Sequence, residues 1–197
     1  MRLFSTAIVL MSVACLIGLP RAALADDAAE RAEIDRNVDT ALAKLHETVP
    51  GSQQIEKQAY GVLIFPDVFR AGIGIGGEYG KGALRVQGKS VAYYSTGGAS
   101  IGLQLGAETR SMVFMFMTTG ALDDFQRSSG WDVGGDASVA LVDVGASGAV
   151  DASRSGKPVI AFVFGNSGLM GSLSLEGTKV SKLDLTPDTA SGSTAPK

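Results

Sequence analysis

The sequence predicts an α+β fold dominated by β-structure: a curved or barrel-like antiparallel sheet of glycine-rich strands, an amphipathic helix at the N-terminal end, and a short helix near residues 119–128. Three observations predict it. Between Gly72 and Gly77 glycine alternates with Ile73 and Ile75, so one face of a strand is apolar and the other is bare backbone. Such a face lets another element approach closely or lets a sheet coil sharply. From Val62 onward, apolar runs and turn signals recur at short intervals, the pattern of antiparallel β-structure. Ahead of them, Asp26 to Val49 carries a single apolar stripe at helical spacing.

That helix is assigned to residues 28–49. Ile34, Val38, Ala41, Leu42, Leu45 and Val49 follow the 3,4 spacing, acids crowd the first turns, and Pro50-Gly51 ends the run. Two uses of the stripe remain open. It docks on the sheet as a core-facing helix, or it lies in a membrane interface, where its acidic polar face is the wrong sign for anionic lipid. His46 reads as a solvated side chain, and Gly51 to Gln58 as a polar connector into the β-rich part, residues 59–185.

Val62-Leu63-Ile64-Phe65 is apolar on both faces and suits a buried strand, with a turn or strand-edge signal at Pro66-Asp67. The glycine ribbon continues through Tyr79 to Val86, and a hairpin turns near Gly88-Lys89. Gly98 to Ala107 repeats the small-face design, and Ser111 to Met117 predicts a central strand buried on both sides. Its methionines, Met112, Met115 and Met117, read as core filling rather than a soft-metal site. Thr118-Thr119 caps a short helix through Phe125 that stops at Ser128-Ser129-Gly130, and Trp131 is the anchor that closes it onto the sheet. Val133 to Val150 is again small and alternating, Val159 to Phe164 is a second buried strand, and Leu169 to Leu175 a further one after the turn at Gly165 to Gly168. The tail, residues 186–197, lacks large apolar residues and reads as disordered.

Composition narrows the function. The chain of 197 residues is 45% apolar and 19% charged, which suits one globular domain, residues 26–185. Its first 25 residues read as a signal peptide, with Arg2, the apolar stretch Ile8 to Leu19 and a small-x-small site at Ala23-Leu24-Ala25. Cys15, the only cysteine, follows small residues and offers lipid attachment as the second reading of the leader. The expected location is therefore the periplasm or the outer membrane. A net charge of −3 disfavours nucleic acid.

No catalytic constellation emerges. A Ser-His-Asp or Cys-His arrangement would have to use His46, and no serine sits in a nucleophile elbow. Asp123, Asp124, Asp132, Asp136 and Asp143 offer acids or bases in principle, but adjacent acids at a helix start are usually dipole partners, and Asp136 and Asp143 lack calcium-loop spacing. The Gly72–Gly77 run lacks the helix that a phosphate cradle needs, so no cofactor and no metal is expected.

The run from Gly61 to Val86, with GGASIGLQLGAE from Gly97, ALDDF from Ala121, GWDVGGDASVA from Gly130 and FGNSGLMGSLSLEG from Phe164, resembles the SYLF domain family in order and spacing, over about Ile34 to Val180. Eukaryotic members of that family bind phosphoinositides, and some bind or bundle actin. The resemblance implies a non-enzymatic, lipid-associated domain of the exported bacterial type, for which actin is not an expected partner. The candidate lipid-binding residues are the stripe Ile34, Val38, Leu42 and Leu45, or a basic rim of Arg70, Lys81, Arg85 and Lys89. A structural or protein-interaction module of the envelope is the alternative, with the helix as core. An outer-membrane barrel is a third reading, but the chain offers few aromatics for its girdles.

Overall fold

The computed structural model describes residues 20–142, 156–165, 168–169, 175 and 177–185; side chains at 20–25, 73–75, 100–106 and 168–169 are not described. Residues 1–19 of the leader with Cys15, all of 143–155 including Asp143, residues 170–174 of the Leu169–Leu175 run and the 186–197 tail lie outside the described residues. Among the described residues, three helices and seven strands follow in the order α1 (Pro20–Thr48), α2 (Ser52–Gln58), β1 (Gly61–Val86), β2 (Lys89–Phe116), α3 (Thr119–Arg127), β3 (Trp131–Asp132), β4 (Val139–Leu141), β5 (Val159–Gly165), β6 (Gly168–Leu169) and β7 (Thr178–Leu183).

The molecule is built on one long antiparallel hairpin. β1 pairs with β2 from Gly61↔Phe116 to Val86↔Lys89, and the chain reverses at Gln87 and Gly88, both with positive φ. The far side of β2 then takes two shorter strands, β7 against Tyr93 to Gly98 and β5 against Ser111 to Phe116. β3 adds to β7, β6 adds to β5, and β4 lies parallel to β5, so the sheet is mixed rather than wholly antiparallel. The expected β-dominated, curled architecture is what the chain adopts. The many short strands expected from the spacing of turn signals are replaced at the start by two very long ones. Pro66-Asp67 does not end a strand; it forms a bulge between Phe65 and Val68, a place an edge strand tolerates proline because, among the described residues, one side of its backbone has no ladder partner.

The curl is steep enough to bring β1 back on itself. A Cβ at Gly82 would stand 2.0 Å from the Ile64 carbonyl oxygen, and one at Gly80 would stand 2.8 Å from that of Asp67. The backbones touch where glycine leaves no side chain between them. Along the bend the register sets Gly72 opposite Gly106 and Gly74 opposite Gly102, so the two small faces expected from sequence coincide.

Strand alternation sorts the core into two clusters. Leu63, Phe65, Val68, Leu84, Tyr94, Met112, Phe114 and Phe116 fill the inside of the curl with Leu122 and Phe125 of α3 and Trp131. Val62, Ile64, Ala83, Tyr93, Val113, Met115, Ile160, Phe162 and Phe164 face outward under α1. Because both faces are covered there, the central strands read as unbroken apolar runs. Gly51, at φ 90°, turns the chain after Pro50 into α2, where a polar connector was expected. That helix has one apolar residue, the buried Ile55, and is held by the Ser52 hydroxyl on the Leu45 carbonyl, so it carries no periodic signal. Thr118 caps α3 as predicted, its hydroxyl accepting from the Ala121 amide.

Candidate functional site

The apolar stripe of α1 is in the core. Ile34, Val38, Leu42 and Leu45 are between 0 and 7% exposed and pack with Ala41 and Val49 on the outer sheet face. Full burial of a side chain of this kind stabilises by about 1.5–3 kcal/mol, so the stripe contributes on the order of 10 kcal/mol to docking. A bilayer could compensate the helix for release, but Ile64, Val113, Phe162 and Phe164 would then face water. In this arrangement Ile34, Val38, Leu42 and Leu45 face the sheet.

The basic rim does not form a free patch either. Lys81 pairs with Glu30 of α1, and this hydrogen bond to the Glu30 carboxylate holds the ammonium above its usual pKa. Arg85 Nη1 donates to Asp39 at 2.6 Å, and Arg70 lies 3.8 Å from Glu108. Only Lys89 is exposed, beside the hairpin turn. Three acids of α1, Glu30, Asp35 and Asp39, thus have partners on the hairpin. Asp35 accepts from Ser90 at 2.7 Å and from the Tyr93 hydroxyl at 3.0 Å. Burial, with that hydrogen bond and the Asp35 charge, pushes the Tyr93 phenol up to about 12.

Two features of the curled hairpin escaped the sequence reading. On its outer face Phe69 and Tyr79 are 54% and 53% exposed, ten residues apart on one strand and therefore on the same side. On its inner face Glu78 pairs with Arg110, both buried, and the Thr178 hydroxyl donates to Glu78 at 2.8 Å. These three come from β1, β2 and β7, and the pair spans the two halves of the bend. Arg110 Nε and Nη1 and the Thr96 hydroxyl are buried without a hydrogen-bond partner. Phe69 and Tyr79 could have been found by extending the odd-numbered alternation outward from Ile73 and Ile75; nothing in the sequence pairs Glu78 with a residue 32 positions away.

His46 is not freely solvated: its Nε2 lies 2.6 Å from Glu56, at an open cleft of about 720 Å³ between the α1–α2 corner, the hairpin turn and the start of α3. The cleft mixes signs, with Lys57 and Arg85 near Glu56 and Asp123. A second cavity of about 470 Å³ lies over Phe116, Phe125 and Trp131. At its rim the Trp131 indole donates to Asp136 at 2.8 Å. Burial works to raise the Asp136 carboxyl, but hydrogen bonds from Ser138 and Trp131 outweigh it and hold the pKa low. Trp131 is the anchor the sequence suggested, in ring contact with Phe114, Phe116 and Phe125. Met112 and Met115 are fully buried in apolar surroundings, as core filling requires.

No described residues gather three or more His, Cys, Asp or Glu side chains as a metal site would, and no described helix is long and apolar enough to cross a membrane. No curated protein matches the chain. Residues 97–186, somewhat less than half of it, match the family model Ysc84, described as Las17-binding protein actin regulator, and this match supports the SYLF family and a binding or regulatory type of domain.

Proposed function

We propose that this is a non-enzymatic, membrane-associated binding protein of the bacterial cell envelope, exported by its leader, with cleavage after Ala25 or anchoring through Cys15. It touches lipid with the outer face of the curled hairpin. The observation that carries the reading is the exposure of Phe69 and Tyr79 on one side of a strand that the core does not need. Aromatic rings of this kind suit the boundary between apolar chains and water. The stripe assigned to lipid by resemblance is occupied by the sheet, and three of the four rim cations face carboxylates, so headgroup charge contributes little.

Vesicle co-sedimentation tests this with neutral phosphatidylcholine and with vesicles containing phosphatidylinositol phosphates. Binding should be similar for both, insensitive to salt, and at least tenfold weaker in Phe69→Ser/Tyr79→Ser. Binding that appears only with the anionic vesicles and fades with salt would return the site to Arg70, Lys81, Arg85 and Lys89. No binding to either favours the second reading, a protein-interaction module of the periplasm or outer membrane with α1 as core, which the docked stripe supports.

A further inference from the structure

We infer that the free edge of β1 between Val68 and Gly80 pairs antiparallel with the same edge of a second copy of this chain, about a two-fold axis at Gly74, to give a homodimer with a continuous sheet.

The edge is open. Among the described residues β1 is hydrogen-bonded in a ladder to β2 alone, which leaves the other side of its backbone without a strand. Its two ends are protected: one by Pro66 and its bulge, the other by Lys81 and Arg85, which are tied to α1, and by the close approach of Gly82 to Ile64. Between them the segment has no proline and no lysine, the residues that ordinarily blunt an edge. The irregularity at Ile73/Gly74 places its extra residues on β2, so β1 runs evenly through the segment.

The edge is also self-complementary. A two-fold contact requires that every residue meet a compatible one from the same patch. Folded about Gly74, the sequence sets Phe69 opposite Tyr79, Arg70 opposite Glu78, Ala71 opposite Gly77, Gly72 opposite Gly76, and position 73 opposite position 75, both isoleucine. Aromatic meets aromatic, and no like charges face each other. Such cross-strand pairs stabilise an antiparallel contact beyond the backbone ladder itself. Arg70 and Glu78 keep Glu108 and Arg110 within their own chain, and Phe69 and Tyr79, about half exposed in the single chain, gain a partner. An unrelated extended peptide would have no reason to match this symmetry.

The pairing and the lipid contact share Phe69 and Tyr79 but fail separately: a monomer that binds vesicles would remove the dimer alone, and a dimer that ignores vesicles would remove the lipid reading alone. Light scattering should give twice the mass of one chain. Register is tested in a Cys15→Ser background with Ala71→Cys and Gly77→Cys made separately. A Cβ at Gly77 meets only the Gly98 carbonyl oxygen, at 3.8 Å, so the thiol fits. Mixed, the two variants should form a disulfide. Alone, neither should, because identical positions would lie about 20 Å apart along the strands, beyond the reach of a disulfide. A monomeric mass at every concentration, or Ala71→Cys linking to itself as readily as to Gly77→Cys, overturns the inference.

Discussion

Arg110 shows how a single residue can hold the curl. It pairs with Glu78 inside the bend, and neither side chain can reach bulk water. Arg110→Met should therefore cost about 3–5 kcal/mol, because it strands the Glu78 carboxylate in a low-dielectric interior. Adding Glu78→Gln should recover much of that loss, and chemical denaturation of the single and double variants measures both. Tyr93 gives the pH counterpart. Its folded pKa is raised from 10.0 to about 12, so its contribution is fully present below pH 10 and is lost as pH rises from 10 through 12. Tyr93→Phe should flatten the fall of the unfolding midpoint across that window, and the remaining slope is read by thermal melts.

At the scale of elements, the glycine ribbon is one composition serving two needs. At Gly82 an added methyl would meet the Ile64 carbonyl at 2.0 Å, and backbone at both positions would have to move. At Gly77 the nearest atom is 3.8 Å away. Gly82→Ala should lose more than about 2 kcal/mol by overpacking, while Gly77→Ala should be neutral or gain up to about 1 kcal/mol from reduced chain entropy. Equal effects in denaturation curves would mean that the halves of β1 do not touch. The alternation of Gly72 to Gly77 announced a small face in the sequence, but which glycines bear a contact depends on the angle of the curl.

For the whole molecule, α1 decides what surface remains for function. Its stripe closes the outer core, and its acids meet Lys81, Arg85, Ser90 and Tyr93, so docking of the helix occupies the stripe and two of the four rim cations. What it leaves is the bend of the hairpin, with Phe69 and Tyr79 outside and, among the described residues, an unpaired strand edge. The vesicle and crosslinking experiments address these two surfaces separately.

Sequence alone determined the local facts, because they depend on period and composition: the stripe of α1, the buried runs at Val62, Met112 and Val159, the cap at Thr118, the reversal near Gly88 and the glycine faces. Tertiary structure decided everything that needed two distant segments at once. The stripe had two equally periodic uses until the sheet presented an apolar face to it. Arg85 and Asp39, Glu78 and Arg110, and His46 and Glu56 became pairs only through the curl and the α1–α2 corner, since attraction between charges depends on distance in space, which spacing along a chain does not fix.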